Sequence, residues 1–262
     1  MRFRSLFITI GLLLCVSCSE GQLGVKIPFV VTWNGDPLSC DAADLALSDL
    51  RFFVSEISLT DATGSAHRVA LDEQLQWQQG DLALIDLENG NGACSNGSKE
   101  VYAYLVGFVP AGDYKGLNFT IGVPFGRNHA NPLTAAAPLD NAAMHWHWRS
   151  GYKFMRAGVA TADDGFWMHL GSAGCEGTVR NVTGCRFPNR VAVSLPDYTI
   201  REQVVEVDLQ VLLQGTELDD GVRSDCSSGP PETSCIAPFR NLGLDFSSGE
   251  SLGMQRVFSI RQ

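Results

Sequence analysis

The stretch from Met144 to Phe154, Met-His-Trp-His-Trp-Arg-Ser-Gly-Tyr-Lys-Phe, gathers two of the chain's five histidines and two of its five tryptophans. In an extended strand, successive side chains point to opposite faces. His145 and His147 would then share one face, and Met144, Trp146 and Trp148 the other. Imidazoles at i and i+2 on one strand face can reach a single metal ion without moving the backbone. Imidazole suits copper, zinc, iron and nickel, and a thioether sulfur narrows the choice toward Cu(I).

The same chemistry is concentrated around this stretch. Residues Gly126 to Ser172 hold His129, His145, His147 and His169, so His67 alone lies outside. Trp167, Met155 and Met168 fall there too, and alternating aliphatics are few. A loop-built site on a β scaffold fits this pattern. Its first reading is a metal centre drawn from the four histidines, with Met144 or Met168 as a sulfur donor. The competing reading is aromatic packing, with the histidines hydrogen-bonded in a core.

Other constellations are weaker. Gly171-Ser172-Ala173-Gly174 lacks the Gly-x-Ser-x-Gly elbow of a hydrolase. The acidic loops at Asp163-Asp164 and Glu217-Leu218-Asp219-Asp220 lack calcium-loop spacing and read as solvated surface.

The elements that must position the histidines have period two. Val25, Ile27, Phe29, Val31 and Trp33 alternate, as do Leu117, Phe119, Ile121 and Val123. Val205, Val207, Leu209, Val211 and Leu213 make the longest such run. Shorter strands are expected over 52–59, 82–87, 101–108 and 191–195, with Gly, Pro, Asn and Asp clustered between. Only 41–50 has a helical pattern. An all-β fold is expected, an antiparallel β-sandwich-like domain with long loops and disulfides.

The N-terminus reads as an export signal. Arg2 and Arg4 precede an apolar run of 11 residues, Leu6 to Val16. That run is far short of the roughly 20 residues that span a bilayer. Ser17-Cys18 resembles a lipobox, although Cys15 stands where Leu is usual. The expected organisation is a signal peptide over 1–17, a lipidated Cys18, a tether over 18–24 and one β domain over 25–262. Cleavage without lipidation would change the anchoring and leave the compartment the same.

Export leaves 17 of the 19 basic residues against 29 acidic ones, a net charge of −12 in place of −10. Such a chain is a poor partner for nucleic acid, whose affinity rests on Lys and Arg neutralising phosphates. Cys40, Cys94, Cys175, Cys185, Cys226 and Cys235 remain of the eight cysteines. An even number in an exported chain, with no Cys-x-x-Cys, reads as disulfides. Local spacing favours Cys175 with Cys185 and Cys226 with Cys235, which leaves Cys40 for Cys94.

Several ordered phrases then resemble one family. They include Asp86-Leu-Glu with Gly92-Ala-Cys94-Ser-Asn-Gly, and Pro110-Ala-Gly-Asp-Tyr-Lys-Gly-Leu117. Gly122-Val-Pro-Phe-Gly-Arg-Asn-His129, Met144-His-Trp-His-Trp148 and His169-Leu-Gly-Ser-Ala-Gly-Cys175 follow. Cys185-Arg-Phe-Pro-Asn-Arg190 and Asn241-Leu-Gly-Leu-Asp245 complete the pattern. Together they resemble the metallo-mystery-pair four-Cys-motif family, also called MbnP-like, over almost all of the mature chain.

The resemblance implies a periplasmic or outer-membrane-attached protein paired with a diheme c-type peroxidase-like partner. It implies copper handling, with Cu(I) held by histidines and a tryptophan oxidised to kynurenine. On that reading the chain is the partner's substrate and the carrier of a copper ion or copper chelate, and is not an enzyme. In the kynurenine copper proteins the modified tryptophan and a ligand histidine stand two apart; this chain is expected to have no Trp-x-His, so that arrangement is not carried over directly. Two geometries follow. One uses the His145/His147 face with the tryptophans packed inside. The other uses a kynurenine from Trp146 or Trp148 with His129 and His169, and the resemblance favours it because these histidines lie in the family's motifs. Ser227 replaces the Met that family members often carry after Cys226, so no methionine ligand stands there. The alternative of a different class is a structural or ligand-binding surface lipoprotein without metal.

Overall fold

The computed structural model describes residues 21–162, 164–179, 181–216, 224–229 and 232–262. The expected signal peptide, the lipidated Cys18 and the acidic loop at 217–220 lie outside the described residues.

In chain order the first strands are β1 (Gln22–Trp33), β2 (Asp36–Pro37), β3 (Ala46–Asp61), β4 (Ala66–Arg68), β5 (Ala70–Leu71) and β6 (Gln78–Gln79). Next come β7 (Leu82–Asp86), β8 (Tyr104–Pro110), β9 (Tyr114–Ile121), β10 (His145–His147), β11 (Gly151–Ala160) and β12 (Gly165–Gly171). The last are β13 (Ala173–Thr178), β14 (Asn181–Phe187), β15 (Val191–Pro196), β16 (Val204–Asp208), β17 (Ser224–Cys226) and β18 (Phe258–Arg261). Among the described residues three short α-helices intervene: α1 (Phe125–Asn128), α2 (Leu209–Leu213) and α3 (Ile236–Asn241). No helix among the described residues is long and apolar enough to cross a membrane.

The expected all-β sandwich is present. One sheet runs β18-β16-β1-β8-β5, with β2 added to β1. The other runs β15-β9-β3-β11-β12-β17, with β10 on the edge of β11 and β4 and β7 on β3. Pairing is antiparallel except for β1 with β16 and β12 with β17, which are parallel. Four phenylalanines join the sheets. Phe29 meets Phe52 and Phe119, and Phe258 meets the same two rings, all edge to face at centroid distances of 5.6–6.0 Å.

Three expectations change. The segment 41–50 is not helical: Ala46–Leu50 begin β3, with both faces buried and their backbone paired to Ala157–Ala160 of β11. The run Val205–Leu213 does not stay extended. Asp208 accepts hydrogen bonds from the Gln210 and Val211 N–H groups, caps α2 and ends β16. The tether expected over 18–24 is shorter, because Gln22, Leu23 and Gly24 already pair with Pro110, Val109 and Phe108.

All three expected disulfides form, Cys40–Cys94, Cys175–Cys185 and Cys226–Cys235. The second bridges directly opposed residues of the β13–β14 hairpin. The third ties β17, and so the edge of β12, to the start of α3.

Candidate metal centre

Strand β12 alternates cleanly. Phe166, Met168 and Leu170 are fully buried on one face, and Trp167 and His169 are partly exposed on the other. Residues two apart on a strand share a face, so Trp167 and His169 stand side by side. Trp167 lies across from Gly158 of β11. A Cβ at Gly158 would come within 2.5 Å of the Ser48 hydroxyl and 3.1 Å of the indole, so glycine leaves room for both. Trp146 approaches from β10 and meets His169 edge to face, with centroids 6.0 Å apart. The end of β12 is clamped: the Ser228 hydroxyl donates to the His169 carbonyl and accepts from the Gly171 N–H at 2.7 Å.

The other histidines do not follow the expected alternation. β10 pairs His145 with Tyr152 but His147 with Gly151, a register shift of the kind a β-bulge produces. The His145 ring packs edge to face on Tyr152, with centroids 5.2 Å apart. His147 is exposed, leans on Trp148, and accepts the Arg149 N–H at Nδ1. The two imidazoles therefore have different neighbours. Met144 and Met168 are buried in the core, and Met168 lies on the face of β12 opposite His169, so neither thioether joins the site.

His129 caps the end of α1. Its Nδ1 lies 3.2 Å from the Trp148 carbonyl. A carbonyl only accepts, so Nδ1 carries the proton and Nε2 the lone pair. Metal-binding histidines are commonly held this way, with the second ring nitrogen donating to a carbonyl. Burial pushes the His129 pKa below its ordinary value, keeping the ring neutral and able to ligate. Phe125 packs against the ring at 5.4 Å. His129 Nε2 lies 3.7 Å from Cys185 Sγ. Among the described residues, one group of three His, Cys, Asp or Glu donors lies within 4.8 Å of one another: His129, Cys175 and Cys185. The two sulfurs are bonded to each other, so in this state they are not thiolate ligands.

A buried charged layer supports the segment before β10. Lys153 donates to the Ala143 and His145 carbonyls at 3.0 and 3.3 Å, and Arg156 donates to Ala143 at 3.2 Å. Arg156 and Arg51 both pair with the buried Asp49, each at 2.7 Å. Burial, with Arg156 and Arg51 nearby, lowers the Lys153 pKa to about 8. Asn128 bridges the next turn, donating to the Ser150 carbonyl and accepting from the Tyr152 N–H. Ser172 serves structure here, its hydroxyl donating to the Pro188 carbonyl.

Two groups of residues escape the motif reading. The expectation that the chain has no Trp-x-His is wrong: Trp167-Met168-His169 on β12 is one. Asp49, Arg51 and Arg156 sit in strands buried on both faces, where a charge is not expected. A surface cavity of about 210 Å³ beside Trp77, Pro138 and Asp140 holds none of the histidines.

The fold and the site define a class: disulfide-stapled β-sandwiches with a partly exposed face of histidine and tryptophan on one sheet. The MbnP family model matches residues 22–228, and the chain belongs to the MbnP family. It is similar to a solved structure described as MbnP from Methylosinus trichosporium, at 25% identity and a TM-score of 0.78. That match covers 92% of this chain and 98% of the other. A comparison with curated proteins found no match.

Proposed function

We propose that the chain is an exported copper-binding protein and not an enzyme, anchored through Cys18 and acting in periplasmic or outer-membrane copper handling. Its Cu(I) site is completed when a diheme c-type peroxidase-like partner oxidises one tryptophan to kynurenine. The observation that carries this reading is the pairing of Trp167 and His169 two residues apart on the partly exposed face of β12. Indole nitrogen has its lone pair in the aromatic ring and ligates poorly, whereas opening the ring exposes an aniline-type amine.

The donor set suits the ion. Imidazole is a good copper ligand. His129 offers Nε2 with its other nitrogen held by the Trp148 carbonyl, and burial keeps that ring neutral. His169 supplies the second imidazole. Trp167 stands two residues from it, and Trp146 touches its ring. His145 and His147 have separate neighbours and are not assigned to the ion.

Peptide mass spectrometry of protein from its native host, mapped over Trp146, Trp148 and Trp167, tests the proposal. Kynurenine at Trp167 is expected. Three intact tryptophans would end the partner-oxidation reading and leave copper to histidine alone.

A further inference from the structure

We propose that Cys175 and Cys185, once reduced, join His129 in a Cys2His site for a soft metal ion, so that this one disulfide gates metal binding. The site shares His129 with the copper reading above, but needs neither kynurenine nor a diheme partner.

The geometry carries it. Ligands bound at about 2.0–2.3 Å to a common ion lie roughly 3.5–4 Å apart. His129 Nε2 and Cys185 Sγ already stand at 3.7 Å, and all three donor atoms lie within 4.8 Å of one another. Opening the S–S bond lets the two sulfurs separate to ligand spacing. The cysteines stay opposed without the bond, because Ala173 pairs with Phe187 and Glu176 with Gly184 on either side of them. The Trp148 carbonyl holds the His129 ring with its Nε2 lone pair free.

Access separates this disulfide from the others. Cys40, Cys94, Cys226 and Cys235 are at most 3% exposed, whereas Cys185 is only partly buried. Exposed disulfides are the ones thiols attack. A dithiol supplies two electrons and two protons, becoming a disulfide itself, and leaves Cys175 and Cys185 as thiols. A metal ion then displaces the two thiol protons and takes the imidazole as a third ligand. Two thiolates and an imidazole suit Cu(I) and zinc, and cadmium reports them.

The test uses the full chain. Limited dithiol treatment, followed by desalting, alkylation of a portion and peptide mass spectrometry, identifies the first thiols released. Cys175 and Cys185 are expected. The remainder is titrated with Cd2+ while the thiolate-to-cadmium charge-transfer band is followed. One Cd2+ is expected in the reduced protein, with none of that band in the oxidised protein and release on reoxidation. His129→Ala should weaken Cd2+ binding about tenfold or more, a step well resolved in such a titration. The proposal is overturned if another disulfide opens first, if the reduced protein gives no band, or if His129→Ala binds as the parent does. The redox cycle uses the unmutated chain and decides the matter even if His129→Ala fails to fold.

Discussion

Trp146 and His169 meet edge to face, their ring planes at 77°, although one sits on a bulged edge strand and the other on β12. The contact puts an oxidisable ring against a ligand candidate across the sheet, and Trp167 does the same along the strand. His169→Ala should weaken Cu(I) binding at least tenfold, about 1.4 kcal/mol, in a competition titration. The fold should survive, because the side chain is only partly buried and lies on the face of β12 away from Phe166, Met168 and Leu170. Trp146→Phe keeps an aromatic edge and removes the indole. It should leave affinity within about threefold, a difference below 1 kcal/mol. A loss as large as that of His169→Ala would move the modified residue to Trp146.

Burial lowers the pKa of His129 and of His145 from 6.5, and for His145 the charges of Lys153 and His147 add to the effect. The folded chain therefore keeps these rings neutral where the unfolded chain begins to protonate them. The stability this contributes is complete above pH 6.5 and is lost as pH falls from 6.5 through the lower folded values. A proton also competes with metal for Nε2 of His129. Copper binding should thus persist through pH 6.5 and fail only below it. Copper titrations and urea midpoints at stepped pH check both signs. His129→Ala should flatten the stability loss below pH 6.5.

Asp49 is 2% exposed and holds two guanidinium groups, Arg51 at 2.7 Å and Arg156 at 2.7 Å. Asp49→Ala leaves Arg156 without its carboxylate and Arg51 with Glu88 at 3.7 Å, and should cost about 3–5 kcal/mol, the range for breaking a buried ion pair. Urea unfolding at unchanged m would read it directly. Arg156 also holds the Ala143 carbonyl, so amide exchange over 143–148 should quicken in the same variant. A cost below about 1 kcal/mol would class the layer with exposed ion pairs.

Period-two patterning exposed the strands because a half-buried sheet alternates by necessity. β9 and β1 are legible for that reason, and two of the disulfides follow from local spacing, which leaves Cys40 for Cys94. The start of β3 was illegible because Leu47, Asp49 and Arg51 are buried along with Ser48, Leu50 and Phe52, so no alternation survives. The end of β16 was illegible because Asp208 both fits the strand pattern and caps α2. The histidines were legible as a concentration but not as a constellation. A bulge between His145 and His147 undoes the alternation that would have paired them. Placing His129 beside the Cys175–Cys185 hairpin takes long-range topology that local spacing does not encode.

Asp86 offers a last prediction with a definite sign. It is fully buried, and burial with the nearby Glu88 carboxylate raises its pKa from 3.8 to about 8, against the opposing pull of Arg51. The folded state therefore binds a proton that the unfolded chain has released. The stability this gives is complete below about pH 4 and is lost as pH rises through about 8. Its oxygens accept from the Glu88 N–H at 3.2 Å and from the Ser98 hydroxyl at 3.5 Å. Asp86→Asn keeps the first contact, and its amide can donate to the Ser98 hydroxyl in place of the second. The variant should match the parent near pH 4 and exceed it in stability at pH 8, where the parent's carboxyl ionises. Thermal melts at the two pH values measure the difference. A parent that gains stability over this range relative to the variant would mean that Arg51 outweighs burial and holds Asp86 as a carboxylate.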